Sequence, residues 1–103
     1  MRWRQFLTPV KSLDSEEVKS FMNDHKEGSY TLLDVRQPAE YESSRIPGAK
    51  LVPLPELTDR MGEIDKEKPV VVYCAIGGRS RAASQLLAGG GFNEVYNLSL
   101  IHI

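Results

Sequence analysis

The run Pro69-Val70-Val71-Val72-Tyr73 limits what this chain can fold into more than any other segment. It is apolar and rich in β-branched residues, and it reads as a buried strand. A strand of this kind belongs at the centre of a sheet covered by other elements. The residues after it carry chemistry. Cys74 stands where the strand ends, then come Ala75, Ile76, Gly77, Gly78, Arg79 and Ser80. Ser80 to Ala88 reads as a helix, with Ser80 as its N-cap.

A thiol in that place is set up for reaction. The thiolate, not the thiol, is the nucleophile, so negative charge at Cys74 must be stabilised. First-turn helix amides lack intrahelical partners, and the helix dipole adds positive potential there. Gly77 and Gly78 permit positive φ and a close approach of backbone to a bound group. Arg79 brings a fixed charge and a planar fork of donors suited to an oxyanion. The same residues also fit a plainer reading, a buried structural cysteine followed by a glycine turn. The combined spacing of Cys, Gly-Gly, Arg and Ser favours the reactive one, and a depressed thiol pKa is expected.

The rest of the chain supplies a frame. Asp14 is an N-cap, with Glu17 completing a capping box, and Val18, Phe21 and Met22 share one helical face as core. Tyr30 to Val35 reads as a buried strand, Pro38 to Tyr41 or Ser44 as a short helix and Ala49 to Val52 as a short strand. Pro53 to Gly62 reads as a turn and helix. Gly89-Gly90-Gly91 stops the helix after the cysteine, and Glu94 to Leu98 is a last strand. Strands alternating with helices indicate an α/β domain with a largely parallel sheet. Ligands of such sheets bind beyond the carboxyl ends of strands, so Asp34 and Cys74 are expected on one rim.

The 103 residues suffice for one small domain. A net charge of −1 argues against a nucleic-acid or membrane surface as the main partner. One cysteine makes no internal disulfide, which fits a reducing compartment. The start lacks a signal-peptide run, so a cytoplasmic protein is expected; a periplasmic protein without its leader fits the same residues. The two histidines, His25 and His102, lie far from any motif and read as solvated. That leaves a Cys–His pair unsupported and gives no metal-ligand set. Asp34 and Arg36 read as structural, Arg36 bridging to a carboxylate such as Glu40 and Asp34 tying down neighbouring loops.

Three segments carry a family resemblance. Cys74 to Ser80 resembles the active-site loop of the rhodanese (thiosulfate sulfurtransferase) family. Leu32-Leu33-Asp34-Val35-Arg36 with Pro38-Ala39-Glu40-Tyr41 resembles that family's Asp-Val-Arg corner. Ile46-Pro47-Gly48-Ala49 resembles its Ile-Pro-Gly-Ala turn. They come in the family's order and cover most of the chain from Leu32 to Leu98.

The resemblance implies a single small rhodanese-like domain, with helices on both faces of the sheet. It implies sulfur transfer through a Cys74 persulfide and no cofactor. The donor would be a small thiosulfate-like anion and the acceptor a thiol, cyanide or a protein. It also sets Asp34 and Arg36 beside the loop, where they would shape the pocket. Two alternatives stand beside it. One is a persulfide carrier or sulfide-sensing module that does not turn over. The other is a cysteine phosphatase, disfavoured because that pattern has five residues between Cys and Arg where this chain has four.

The sequence departs from the family in two places. Ser44-Arg45 stands where Gly-His is common before Ile46, and Ser99-Leu100-Ile101-His102-Ile103 replaces a Gly-Gly turn and closing helix. The expected consequences are exposed apolar surface on one sheet face, with lowered stability or self-association. A fused or partner domain beyond the C-terminus would also fit such an ending.

Overall fold

The computed structural model describes residues 9–75 and 78–99. Five strands form one sheet in the order β1-β5-β4-β2-β3: β1 Val10–Leu13, β2 Thr31–Asp34, β3 Lys50–Leu51, β4 Val70–Cys74 and β5 Val95–Ser99. Every pairing is parallel. The α/β expectation holds, and β4 is the central strand. Each of its five residues is 0% exposed, as a continuous apolar run on a doubly covered strand requires.

Side chains alternate across the sheet. Val70, Val72 and Cys74 face one way, packed with Leu33, Val35, Val95 and the helical residues Leu57, Ala83 and Leu87. Those helical residues belong to α3 (Leu57–Arg60) and α4 (Gly78–Gly89). Val71 and Tyr73 face the other way, with Leu32, Leu98 and Val18. Val18 is on α1 (Ser15–Asp24), which opens with the expected capping box: Asp14 Oδ1 accepts from Glu17 N–H at 2.8 Å and Glu17 Oε1 from Asp14 N–H at 3.0 Å. An apolar hollow of about 380 Å³ lies on this face, lined by Val18, Met22, Ile46 and Leu98 with Ser15 and Lys19.

The expected helix across Pro53–Gly62 is instead α3 between two short 3-10 segments, Leu54–Glu56 and Met61–Glu63. Strand β1 has no sequence counterpart. Val10-Lys11-Ser12-Leu13 carries only two apolar residues and is mostly exposed, and its strand geometry comes from pairing with β5 at the sheet edge. His102 and the tail from Leu100 lie outside the described residues, as does the expected absence of a closing helix.

The three glycines at the end of α4 differ in their surroundings. Gly91 adopts φ +95°, which ends the helix in the left-handed region. At Gly90 a Cβ would stand 2.6 Å from Met61 Sδ and 3.2 Å from the Leu86 carbonyl, whereas at Gly89 it would meet nothing within 4 Å. Gly90→Ala is therefore expected to lower stability by about 1–2 kcal/mol. Gly89→Ala is expected to be neutral or to raise stability by up to about 0.5–1 kcal/mol. Urea denaturation midpoints of the two variants check the contrast.

Candidate active site

In a parallel sheet, a crevice opens where successive connections leave in opposite directions. Here β2 connects outward to β3 through α2 (Pro38–Ser43), whereas β4 connects through α4 to β5 on its other side. The segments that leave the carboxyl ends of β2 and β4 thus diverge. Cys74 stands at that end of β4, is 0% exposed and points toward α4.

Helix α4 begins at Gly78, two residues before the expected N-cap. Ser80 is buried inside the first turn, and its backbone N–H points at Cys74 Sγ, 3.2 Å away. The helix start thus presents a first-turn amide to the sulfur, with the positive end of the dipole behind it. Gly78 is helical and does not use positive φ, so that reading is corrected for it. A Cβ at Gly78 would meet nothing within 4 Å. Ala75 is half-buried at the loop's start; Ile76 and Gly77 lie outside the described residues.

Arg79 does not extend alone over the loop. Its Nη1 donates to Glu40 Oε1 at 2.7 Å and its Nη2 to Glu40 Oε2 at 3.1 Å, with each side chain about one-third exposed. Glu40 Oε1 also accepts from Gln37 N–H at 2.9 Å. The pair joins α2 to α4 across the crevice. Hydrogen bonding to Arg79 and then to the Gln37 amide holds the Glu40 carboxyl down at about 2.

Arg36 does not bridge to Glu40. Its guanidinium is paired with Asp34: Nε lies 3.0 and 3.1 Å from the two carboxylate oxygens, and Nη2 donates to Oδ2 at 2.8 Å. The Arg36 backbone N–H donates to Asp34 Oδ1 at 2.9 Å, and Nη2 also reaches the Ser44 carbonyl at 2.6 Å. A two-residue separation lets one chain corner close this ring, an option the sequence did not distinguish from a longer bridge. The corner ties the end of β2 to the end of α2.

Asp34 and Cys74 share an edge but not a face. Asp34 is the register partner of Tyr73, and alternation puts it with Leu32 on the α1 side. Tyr73 carries the same layer onward. Its hydroxyl accepts from the Ile46 N–H at 3.1 Å, and burial pushes its pKa up to about 12. The Arg36 guanidinium lies 5.5 Å from the centre of its ring. Buried Asp34, Arg36 and Tyr73, with the Ile46 turn they meet, form a scaffold on the far side of β4 from the thiol. The sequence reading does not include Tyr73 in this scaffold, and it assigns Glu40 to Arg36 where the fold pairs Glu40 with Arg79; the available signal for Tyr73 was its place beside Cys74.

His25 is half-buried, not solvated. It stacks on Phe21 at 3.9 Å, and its Nδ1 lies 2.8 Å from the Phe21 carbonyl. Phe21 packs on the α1 face, so the sheet stands between His25 and Cys74. Among the described residues no group of three or more His, Cys, Asp or Glu could hold a metal ion. No described helix is long and apolar enough to cross a membrane.

A family profile described as Rhodanese-like domain matches residues 14–100. The chain is 46% identical over 89 residues to the uncharacterized protein YqhL of Bacillus subtilis, covering 86% of this chain and 67% of that one. It is 37% identical over 89 residues to a protein named sulfurtransferase from Allochromatium vinosum, covering 86% and 81%. Among solved structures, a rhodanese-related protein from Thermoplasma volcanium superposes with a TM-score of 0.74 at 30% identity, covering 85% of this chain and 83% of that one.

Two outcomes follow from the charges. Asp34→Asn leaves the buried Arg36 guanidinium without its counter-charge and is expected to cost about 3 kcal/mol in a urea titration. Glu40 has a depressed folded pKa, so its contribution is present above the unfolded value, about 4.3, and is lost as pH falls toward about 2. The pair is part-exposed, which keeps that contribution below about 1 kcal/mol. The difference in melting temperature between wild type and Glu40→Gln should hold steady above about pH 5 and shrink below it.

Proposed function

The chain belongs to the rhodanese-like domain family, and on that premise we propose that it is a sulfurtransferase whose Cys74 carries the sulfur as a persulfide. The observation that carries this reading is the Cys74 sulfur held 3.2 Å from the Ser80 amide at the start of α4, at the carboxyl end of the central strand. A sulfur that must bear negative charge is stabilised there by backbone dipoles.

The transfer has two halves. The Cys74 thiolate attacks the outer sulfur of an anionic donor of the thiosulfate kind. A sulfur–sulfur bond forms, the sulfur–sulfonate bond breaks, and sulfite leaves with the electron pair. Cys74 is then a persulfide, its terminal sulfur negative. An acceptor such as cyanide, a thiol or a protein thiol attacks that terminal sulfur, and the Cys74 thiolate departs. Splitting the transfer in this way is nucleophilic catalysis with ping-pong kinetics.

The persulfide also eases access to a buried atom. Cys74 is 0% exposed, and one added sulfur extends the reactive atom outward by about 2 Å. The first turn of α4, Gly78 to Ser80, lies beside the sulfur. The open space at the Gly78 α-carbon allows a bound group to approach the backbone. Arg79 retains three N–H groups beyond the two given to Glu40, enough to orient a sulfonate. Asp34 and Arg36 act at a distance, fixing the β2 corner from which α2 and Glu40 project.

Incubation with thiosulfate alone should add the mass of one sulfur atom to the wild-type protein, and cyanide should then remove it as thiocyanate. Cys74→Ser should show neither, with at least about a thousandfold loss of turnover. Persulfide formation without multiple turnover would identify a carrier. Failure to acquire the sulfur from thiosulfate or any persulfide donor would overturn the sulfur-transfer reading.

A further inference from the structure

We propose that Glu40 sets how strongly the site draws an anionic reactant, by holding the Arg79 guanidinium in a two-pronged ion pair across the crevice between β2 and β4. The inference rests on the sulfurtransferase reading for the identity of that reactant, an anionic sulfur donor. Its role for Glu40 stands on geometry.

Arg79 is the cationic side chain of the loop, one residue before the amide that faces Cys74 Sγ. Two of its five N–H groups are spent on Glu40, at 2.7 and 3.1 Å. The carboxylate also cancels much of its charge at the sulfur. Glu40 is itself held in place: the Gln37 amide bonds the oxygen that meets Arg79 Nη1, and Pro38 starts the short helix that carries it. Arg79 feels Glu40, Cys74 and Arg36; Glu40 feels Arg79 and Arg36. Arg36 is already neutralised by Asp34, at 2.8 Å. Arg79 and the carboxylate facing it thus contribute opposing charges beside the sulfur. An incoming sulfonate meets a guanidinium with two of its N–H groups already given to that carboxylate and its charge partly offset. Glu40 is thus a positioning residue that orients Arg79 while restraining the affinity of the site for anions.

Alkylation by a neutral and an anionic reagent isolates this effect. Iodoacetamide and iodoacetate are attacked by the same thiolate, so the ratio of their rates reads the local potential. Changes in thiol exposure or loop packing move both rates together. In Glu40→Gln the iodoacetate-to-iodoacetamide ratio should rise about two- to fivefold at low ionic strength, and the rise should shrink in roughly 0.5 M salt. The KM for thiosulfate should fall by a similar factor with kcat nearly unchanged. Glu42→Gln, the same charge change on an exposed residue of the same helix, should leave the ratio as in wild type. Should Glu40→Gln not give a cooperative melt, Glu40→Ala, which also removes the carboxylate, serves in its place and should also raise the ratio. An unchanged or lowered ratio at position 40, or an equal rise from Glu42→Gln, would overturn the proposal. A chain that takes no sulfur from thiosulfate would defeat the sulfurtransferase reading instead, and the alkylation ratio would still decide the role of Glu40.

Discussion

Burial of β4 on both faces is the constraint from which the site geometry follows. A strand with no exposed residue must have a covered layer on each side, and its side chains alternate between the two. Cys74, Val72 and Val70 enter one layer; Tyr73 and Val71 enter the other. The thiol and the tyrosine before it are therefore committed to opposite sides by one peptide bond. Cys74 meets the helix that follows it, and Tyr73 meets the polar corner that braces the strand end. Chemistry and support are divided between the two sides of a single strand.

That division explains how a reactive end can be rigid. The Asp34–Arg36 pair is buried and held by several hydrogen bonds: two guanidinium nitrogens to the carboxylate, one of them also to the Ser44 carbonyl. Breaking up such a pair is costly, so it fixes a corner better than an exposed ion pair would. Tyr73 extends the fixed layer to the Ile46 amide. Hydrogen bonds thus tie the corner, the turn after α2 and the end of β4 to one another. The opposite side, with Ala75, Gly78 and the part-exposed Arg79, holds the residues that would meet a reactant.

Much of this was legible in the residues, for different physical reasons in each place. The apolar β-branched run of β4 announces itself because burial on both faces demands it of every position. The capping box at Asp14 and Glu17 is local, so three residues of sequence suffice to read it. Strand β1 was not legible, because an edge strand owes its form to its neighbour and needs few apolar residues. Helix α4 begins earlier than its serine suggests, since the Ser80 amide is directed to the cysteine sulfur from within the first turn. Ion-pair partners were misread for the same reason that β1 was missed. Arg36 has several carboxylates within reach along the chain and Arg79 has none nearby, and only the fold decides that the first closes on Asp34 and the second on Glu40.

The resulting exchange of partners changes what the loop arginine can be. An arginine projecting alone into a loop would be a fixed attractor for anions. Paired with a carboxylate from another element, it becomes a conditional one, whose strength depends on how well α2 and α4 hold their separation. The charge pattern places the carboxylate where the diverging connections of the sheet bring two helices together, which is also where a parallel sheet leaves room for a ligand. A neutralised guanidinium retains directionality through its remaining N–H groups while losing much of its long-range pull. Selection among small anions at such a site would then rest on geometry close to the sulfur, at hydrogen-bond range, and less on net charge felt from solution.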